Sequence, residues 1–237
     1  SKDIDTLRAG CTKKVLGLLV TVPYMIPSWT KALAWLAMFR NSTSGANGFL
    51  AGMGIPIPDW LAYGPIAIVL CMSMHYYAFS YIMVSGALRS INSELEEMGE
   101  IQGASKATIL RKITFPLVLP AMLSSVILTF SKAIGTFGTI NYLGSPVQYY
   151  TLSSQLYMNS KSQNTQTAFA MALIMICIAS ISVFVNQKLI GSRKSYATIG
   201  GKGGRSTPIR LGKHKPLITV VLFLFFVFGI IMPIALL

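Results

Sequence analysis

The stretch Ala168 to Ile190, AFAMALIMICIASISVFVNQKLI, holds one charged residue, Lys188. A helix of about 20 apolar residues crosses the ~30 Å hydrocarbon core of a bilayer. Four further runs have this character, roughly Val15 to Phe39, Tyr63 to Ala87, Leu117 to Ile134 and Pro216 to Leu237. Burying such runs in a water-soluble protein would need polar helices to wrap them, and the chain has none. Its 237 residues are 53% apolar and 11% charged, against about 25% charged in a typical soluble domain. The expected fold class is all-α, a polytopic membrane helix bundle in a lipid membrane.

The net charge of +13 would suit a nucleic-acid partner if the basic residues were clustered on one domain. They instead alternate with the apolar runs. Segments 1–14, 88–116 and 191–215 carry fifteen Lys and Arg, while 40–62 and 135–167 carry only Arg40 and Lys161. Cytoplasmic connections of membrane proteins are enriched in Lys and Arg. The three basic segments are therefore expected in the cytoplasm, and no nucleic-acid partner is expected.

Segment 191–215, GSRKSYATIGGKGGRSTPIRLGKHK, is rich in Gly and basic residues and lacks apolar periodicity. It reads as a cytoplasmic linker. The expected organisation is a transmembrane domain over 1–190, the linker over 191–215, and the first helix of a second membrane unit over 216–237. The chain opens on Ser1 and closes on apolar residues, as a piece of a longer protein would. Cys11, Cys71 and Cys177 lie far apart and suggest neither a disulfide framework nor metal-ligand spacing.

One polar paragraph interrupts the apolar pattern: Glu94 to Pro116, ELEEMGEIQGASKATILRKITFP, with four of the seven acidic residues. Ser93 and Glu96 have capping-box spacing, and Glu94, Glu96 and Glu97 load the positive end of the helix that follows. Leu95, Met98 and Ile101 recur every third residue as a narrow apolar edge. Gly103 should end or bend this helix, and Ser105 can cap a second one bearing Lys106, Ile109, Arg111, Lys112 and Ile113. The pattern describes two short cytosolic helices on a glycine joint, strapped between membrane spans. That is a form suited to docking a protein.

Glu97-Met98-Gly99, Gly103, Ile113 and Pro116 stand in the register of the "EAA" loop of binding-protein-dependent ABC permeases. The chain resembles that family, with Met98 and Gly99 in place of alanines and Phe115 in place of leucine. The resemblance implies a type I importer permease of the cytoplasmic (inner) membrane, driven by a separate ATPase. Glu97, Met98, Gly99, Ile101, Gly103, Ala104, Ile113 and Pro116 would form the coupling element. The implied partners are a cytoplasmic ABC ATPase dimer, an external substrate-binding protein and a second permease unit. No cofactor is expected on this chain; ATP with magnesium would belong to the ATPase. VPYMIPSWTKALAWLAMF (Val22 to Phe39), IGTFGTINYLGSPVQYYTLSSQLY (Ile134 to Tyr157) and the stretch around Tyr196 to Lys202 look like the ferric-iron-type branch. In that branch two units are often fused. The family fold would also place one or two helices before Ser1.

Within the spans, Lys31 and Lys132 are expected in the outer half of the membrane. Either could line a path, where an intramembrane charge is a functional hypothesis by default, or snorkel to the interface. Trp35, Gly135 and Gly138 complete the path candidates. A cationic lining would favour an anion, so two substrate readings stand. The first is ferric iron or a ferric complex; the other is an anionic organophosphorus solute such as a phosphonate or sugar phosphate. His75, beside Tyr76 and Tyr77, is expected to pack helices rather than bind metal. Pro23 and Pro27 should kink the first span. An ion-coupled secondary transporter would need midplane acids, and no Asp or Glu lies in a span. A membrane enzyme would need a nucleophile–base pair or ligand set, and none stands out. A scaffold that only recruits an ATPase is the other alternative.

Overall fold

A computed structural model describes residues 17, 20–91 and 93–191, with isolated positions between 220 and 235. Segments 1–14 and 191–215, apart from Gly191, and most of the fifth apolar run lie outside the described residues. All regular structure among the described residues is helical. The chain divides into two compact units.

The first unit takes residues up to Ala78 and 135–175. Residues 20–25 are helical, the chain bends at Ile26 and Pro27, and α1 (Ser28–Phe39) begins. Pro27 has φ −53° and ψ 144°, an extended conformation. It lacks an N–H, and its ring would meet the carbonyl four residues back, at Pro23. The described part of the first apolar run, from residue 20, is thus two helical pieces rather than one kinked span. Short helices α2 (Phe49–Gly52) and α3 (Asp59–Ala62) follow. Asp59 accepts hydrogen bonds from Asn41 Nδ2 and from the Thr43 hydroxyl, the latter at 2.9 Å. Asn41 Nδ2 also donates to the Ile57 carbonyl at 3.1 Å. The sole acid of the 40–62 loop therefore closes that loop on itself.

Helix α4 (Gly64–Ser90) starts on a glycine at φ +83° followed by Pro65, a residue suited to the first helical turn. α1 packs chiefly on α8 (Gly138–Gly144), and α9 (Leu152–Lys161) comes next in the chain. The core joins Ala32, Trp35, Leu36, Ala62, Tyr63, Ala67, Ile68, Cys71, Ile140 and Leu143. Alanines at 32, 62 and 67 let helix backbones approach closely, as small residues do between membrane helices. Gly138 works the same way: a Cβ there would lie 2.7 Å from Trp29 Cβ.

The second unit takes 79–134 and 176–212. It holds the end of α4, α5 (Ser93–Ile101), α6 (Lys106–Ile109), a π-helical turn (Leu110–Thr114), α7 (Phe115–Ile134) and the latter part of α10 (Thr165–Gly191). Among the described residues three helical stretches are long and apolar enough to cross a membrane, Asp59–Ser90, Lys106–Ile134 and Thr165–Leu189. Phe169, Leu173, Ile174, Ile176, Ile181 and Phe184 of α10 all stand exposed. A helix apolar all round belongs in lipid or in a large core.

Candidate functional site

The polar segment folds as a helix pair, and its joint is local chemistry. α5 ends at Ile101, and Gly103 takes φ +78°. Its N–H donates to the Glu100 carbonyl at 2.9 Å, and the Ala104 N–H donates to the Gly99 carbonyl at 3.0 Å. This pair of bonds is a Schellman cap, which satisfies carbonyls that a helix end leaves without partners. Nothing lies within 4 Å of a Cβ built on Gly103, so its left-handed backbone, not space, demands glycine. Ser105 then caps α6, its hydroxyl accepting from the Thr108 N–H at 3.3 Å.

Two contacts fold the pair shut. A Cβ on Gly99 would lie 3.1 Å from Ile109 Cγ1 and 3.3 Å from Ile113 Cδ1, so the glycine seats α5 against both isoleucines. The buried Thr114 hydroxyl donates to Glu96 Oε1 at 2.7 Å. Glu96 thus reaches across the joint. The Ser93 side chain, and with it the expected capping box, lies outside the described residues. Glu94 and Glu96 occupy the first turn of α5, with Glu97 just beyond it. With the inner face of α5 packed, its outer edge is apolar and open: Met98 is 57% exposed and Ile101 85%, with Leu95 exposed beside them.

The second helix is not a separate short one. α6 runs through the π-turn into α7 without a break, a 29-residue helical stretch from Lys106 to Ile134. Pro116 has no N–H and crowds the carbonyl at Lys112; widening the preceding turn by one residue relieves that conflict. Pro116 therefore sits inside the continuous helix, exposed, instead of separating loop from span. α5 thus packs against the opening turns of a helix long and apolar enough to cross a membrane.

The path candidates fall in different surroundings. Lys31 is buried, 4% exposed. Its ammonium donates to the Pro23 carbonyl and lies 3.5 Å from the Met74 carbonyl and 3.1 Å from His75 Nδ1. His75 stacks on Tyr24 at 5.3 Å and meets Tyr76 edge-on at 4.9 Å, a packing environment. Trp35 is buried in the core and donates from its indole to the Leu61 carbonyl at 2.9 Å. Lys132 is exposed in the last turn of α7, 5.3 Å from the centre of the Phe79 ring. Gly135 is exposed, and Gly138 is pressed on Trp29. The sequence reading missed the Tyr76 hydroxyl, which lies 2.7 Å from Thr136 Oγ1, and Ser153, which donates to the Thr136 carbonyl at 2.9 Å. The hydroxyl-bearing GTFGT segment, read only for its glycines, was the available signal.

Known proteins match along most of the chain. A protein of Haemophilus influenzae described as a putative ferric transport system permease, FbpB 1, is 25% identical over 199 residues, 84% of this chain and 30% of its own length. A probable sulfate transport system permease, cysT, of Marchantia polymorpha is 25% identical over 78% of this chain and 63% of its own. A molybdenum transport system permease, ModB, of Mycobacterium bovis is 27% identical over 70% of this chain and 61% of its own. The chain thus spans less than two thirds of each of these relatives. Residues 6–196 match the family described as the inner membrane component of binding-protein-dependent transport systems. That match covers well over half of the sequence, and the chain belongs to this family of membrane transport components.

Proposed function

We propose that this chain is the permease subunit of an ABC import system, crossing the membrane several times with segment 88–116 in the cytoplasm. In this reading Glu97, Met98, Gly99, Ile101, Gly103, Ala104, Ile113 and Pro116 form the element that couples it to a separate ATPase dimer. The observation that carries the reading is the Schellman-jointed pair with its open Leu95–Met98–Ile101 edge, continuous through α6 with the helix ending at Ile134. An external binding protein delivers the solute, and a second permease unit, fused beyond the linker, completes the path. ATP hydrolysis occurs in the partner, and this chain converts the ATPase's movement into alternating access.

For the solute we favour ferric iron or a ferric complex, supported by the FbpB likeness. An anionic solute is the second reading, supported by relatives named for sulfate and molybdenum transport. Reconstitution of the full transporter in proteoliposomes with its binding protein tests both levels. ATP turnover stimulated by the loaded binding protein supports the importer reading, and an unstimulated complex refutes it. Uptake of labelled ferric ion against sulfate and molybdate then separates the solutes.

A further inference from the structure

Pro23, Pro27 and Lys31 are spaced four apart, and this spacing has a structural consequence. In an unbroken helix the Pro23 carbonyl would accept from the N–H of residue 27. Residue 27 is proline and has none, so the break leaves that carbonyl without its helical partner. Pro23 is fully buried, away from water that could serve instead. An unpaired carbonyl at such depth is costly in a membrane protein. The Lys31 ammonium, eight residues on, donates to this atom.

The same ammonium also reaches α4, with the Met74 carbonyl at 3.5 Å and His75 Nδ1 at 3.1 Å. The His75 ring in turn stacks on Tyr24, one residue past Pro23. A lysine in the opening turn of α1 sits where the helix dipole disfavours a cation. The end of the 20–25 piece presents carbonyls, which favour one.

We infer that Lys31 is a positioning residue that replaces the missing Pro27 N–H and pins the broken first segment to α4, and does not bind the transported solute. This inference is independent of which solute is carried and of the coupling role of α5. It withdraws Lys31 from the case for an anionic cargo.

A double-mutant cycle between Lys31→Met and Pro27→Ala, made in the complete transporter, tests it. Pro27→Ala supplies the N–H, so Lys31→Met should cost clearly less in that background. In the wild-type background Lys31→Met should lower the unfolding midpoint by about 5 °C, or abolish accumulation in the membrane; the part of that loss left in the Pro27→Ala background is the smaller one, owed to the α4 contacts alone. Lys31→Arg, which keeps a donor, should recover most of the loss. Equal losses in both backgrounds would overturn the proposal, as would failure of the double variant to accumulate when Pro27→Ala alone does. Uptake of ferric ion, sulfate or molybdate adds a functional readout. The half-saturating concentration of any probe that is transported should be the same for Pro27→Ala and the double variant. A rise of about tenfold or more on removing Lys31 would place the ammonium on the solute, and the pin would be wrong.

Discussion

Gly103→Ala isolates a backbone effect from a steric one. The residue sits at φ +78°, where an L-residue costs about 1–2 kcal/mol. A Cβ there meets nothing within 4 Å, so the penalty is conformational and not a Cβ clash. What the substitution strains is the cap formed by Gly103 N–H to Glu100 at 2.9 Å and Ala104 N–H to Gly99 at 3.0 Å. A penalty of that size changes the opening equilibrium of the joint about 5- to 30-fold. Hydrogen exchange at the amides of residues 103 and 104 should accelerate by the same factor, with α7 unchanged. Gly103→Ala and Gly103→Leu should behave alike, and Gly103→Asn should be milder, because asparagine visits the left-handed region more readily. Retention of the ATPase on purification should follow the same order. Exchange that does not change, or damage that grows with side-chain volume, would refute a conformational role and point to an unseen steric one.

Ile101→Asp alters a side chain that is 85% exposed, so the unfolding midpoint should move little, within about 0.5 kcal/mol. Co-purification of the ATPase should nonetheless fall by about tenfold or more; full retention would remove the apolar edge from the docking face. Gly138→Val should destabilise by about 1–3 kcal/mol, because its Cβ would sit 2.7 Å from that of Trp29. A thermal melt of the purified transporter checks this. Trp35→Phe should cost about 1 kcal/mol by stripping the Leu61 carbonyl of its indole donor at 2.9 Å, measured in the same melt. In a Thr114→Val and Glu96→Gln cycle, a coupling of about 1–2 kcal/mol is expected from the 2.7 Å bond, and additivity would show that the bond does not hold the pair together.

Features that depend on a residue and its near neighbours were legible in the sequence alone. The apolar runs at 63–87, 117–134 and 168–190 became α4, α7 and α10, each a few residues longer than its apolar stretch. Gly103 ended its helix because a left-handed turn needs a residue without a Cβ. Pro27 interrupted the first run because proline cannot donate. The apolar edge of α5 also followed from spacing.

Partners were not legible. Asp59 is the sole acid of the 40–62 loop, and nothing in its local sequence shows that Asn41 and Thr43, distant along the chain, claim its carboxylate. Glu96 has capping-box spacing, but spacing does not show that its carboxylate also accepts from Thr114 once the glycine joint folds α6 back on α5. Pro116 read as a boundary; a π-turn carried the helix through it. Lys31 is the clearest instance. Its place four residues after Pro27 and eight after Pro23 was visible, but a lysine stem can extend to an interface, a cavity or a carbonyl with almost equal local cost. Only packing against α4 closed the first two routes, because burial makes the orphaned Pro23 carbonyl the acceptor that most needs a donor.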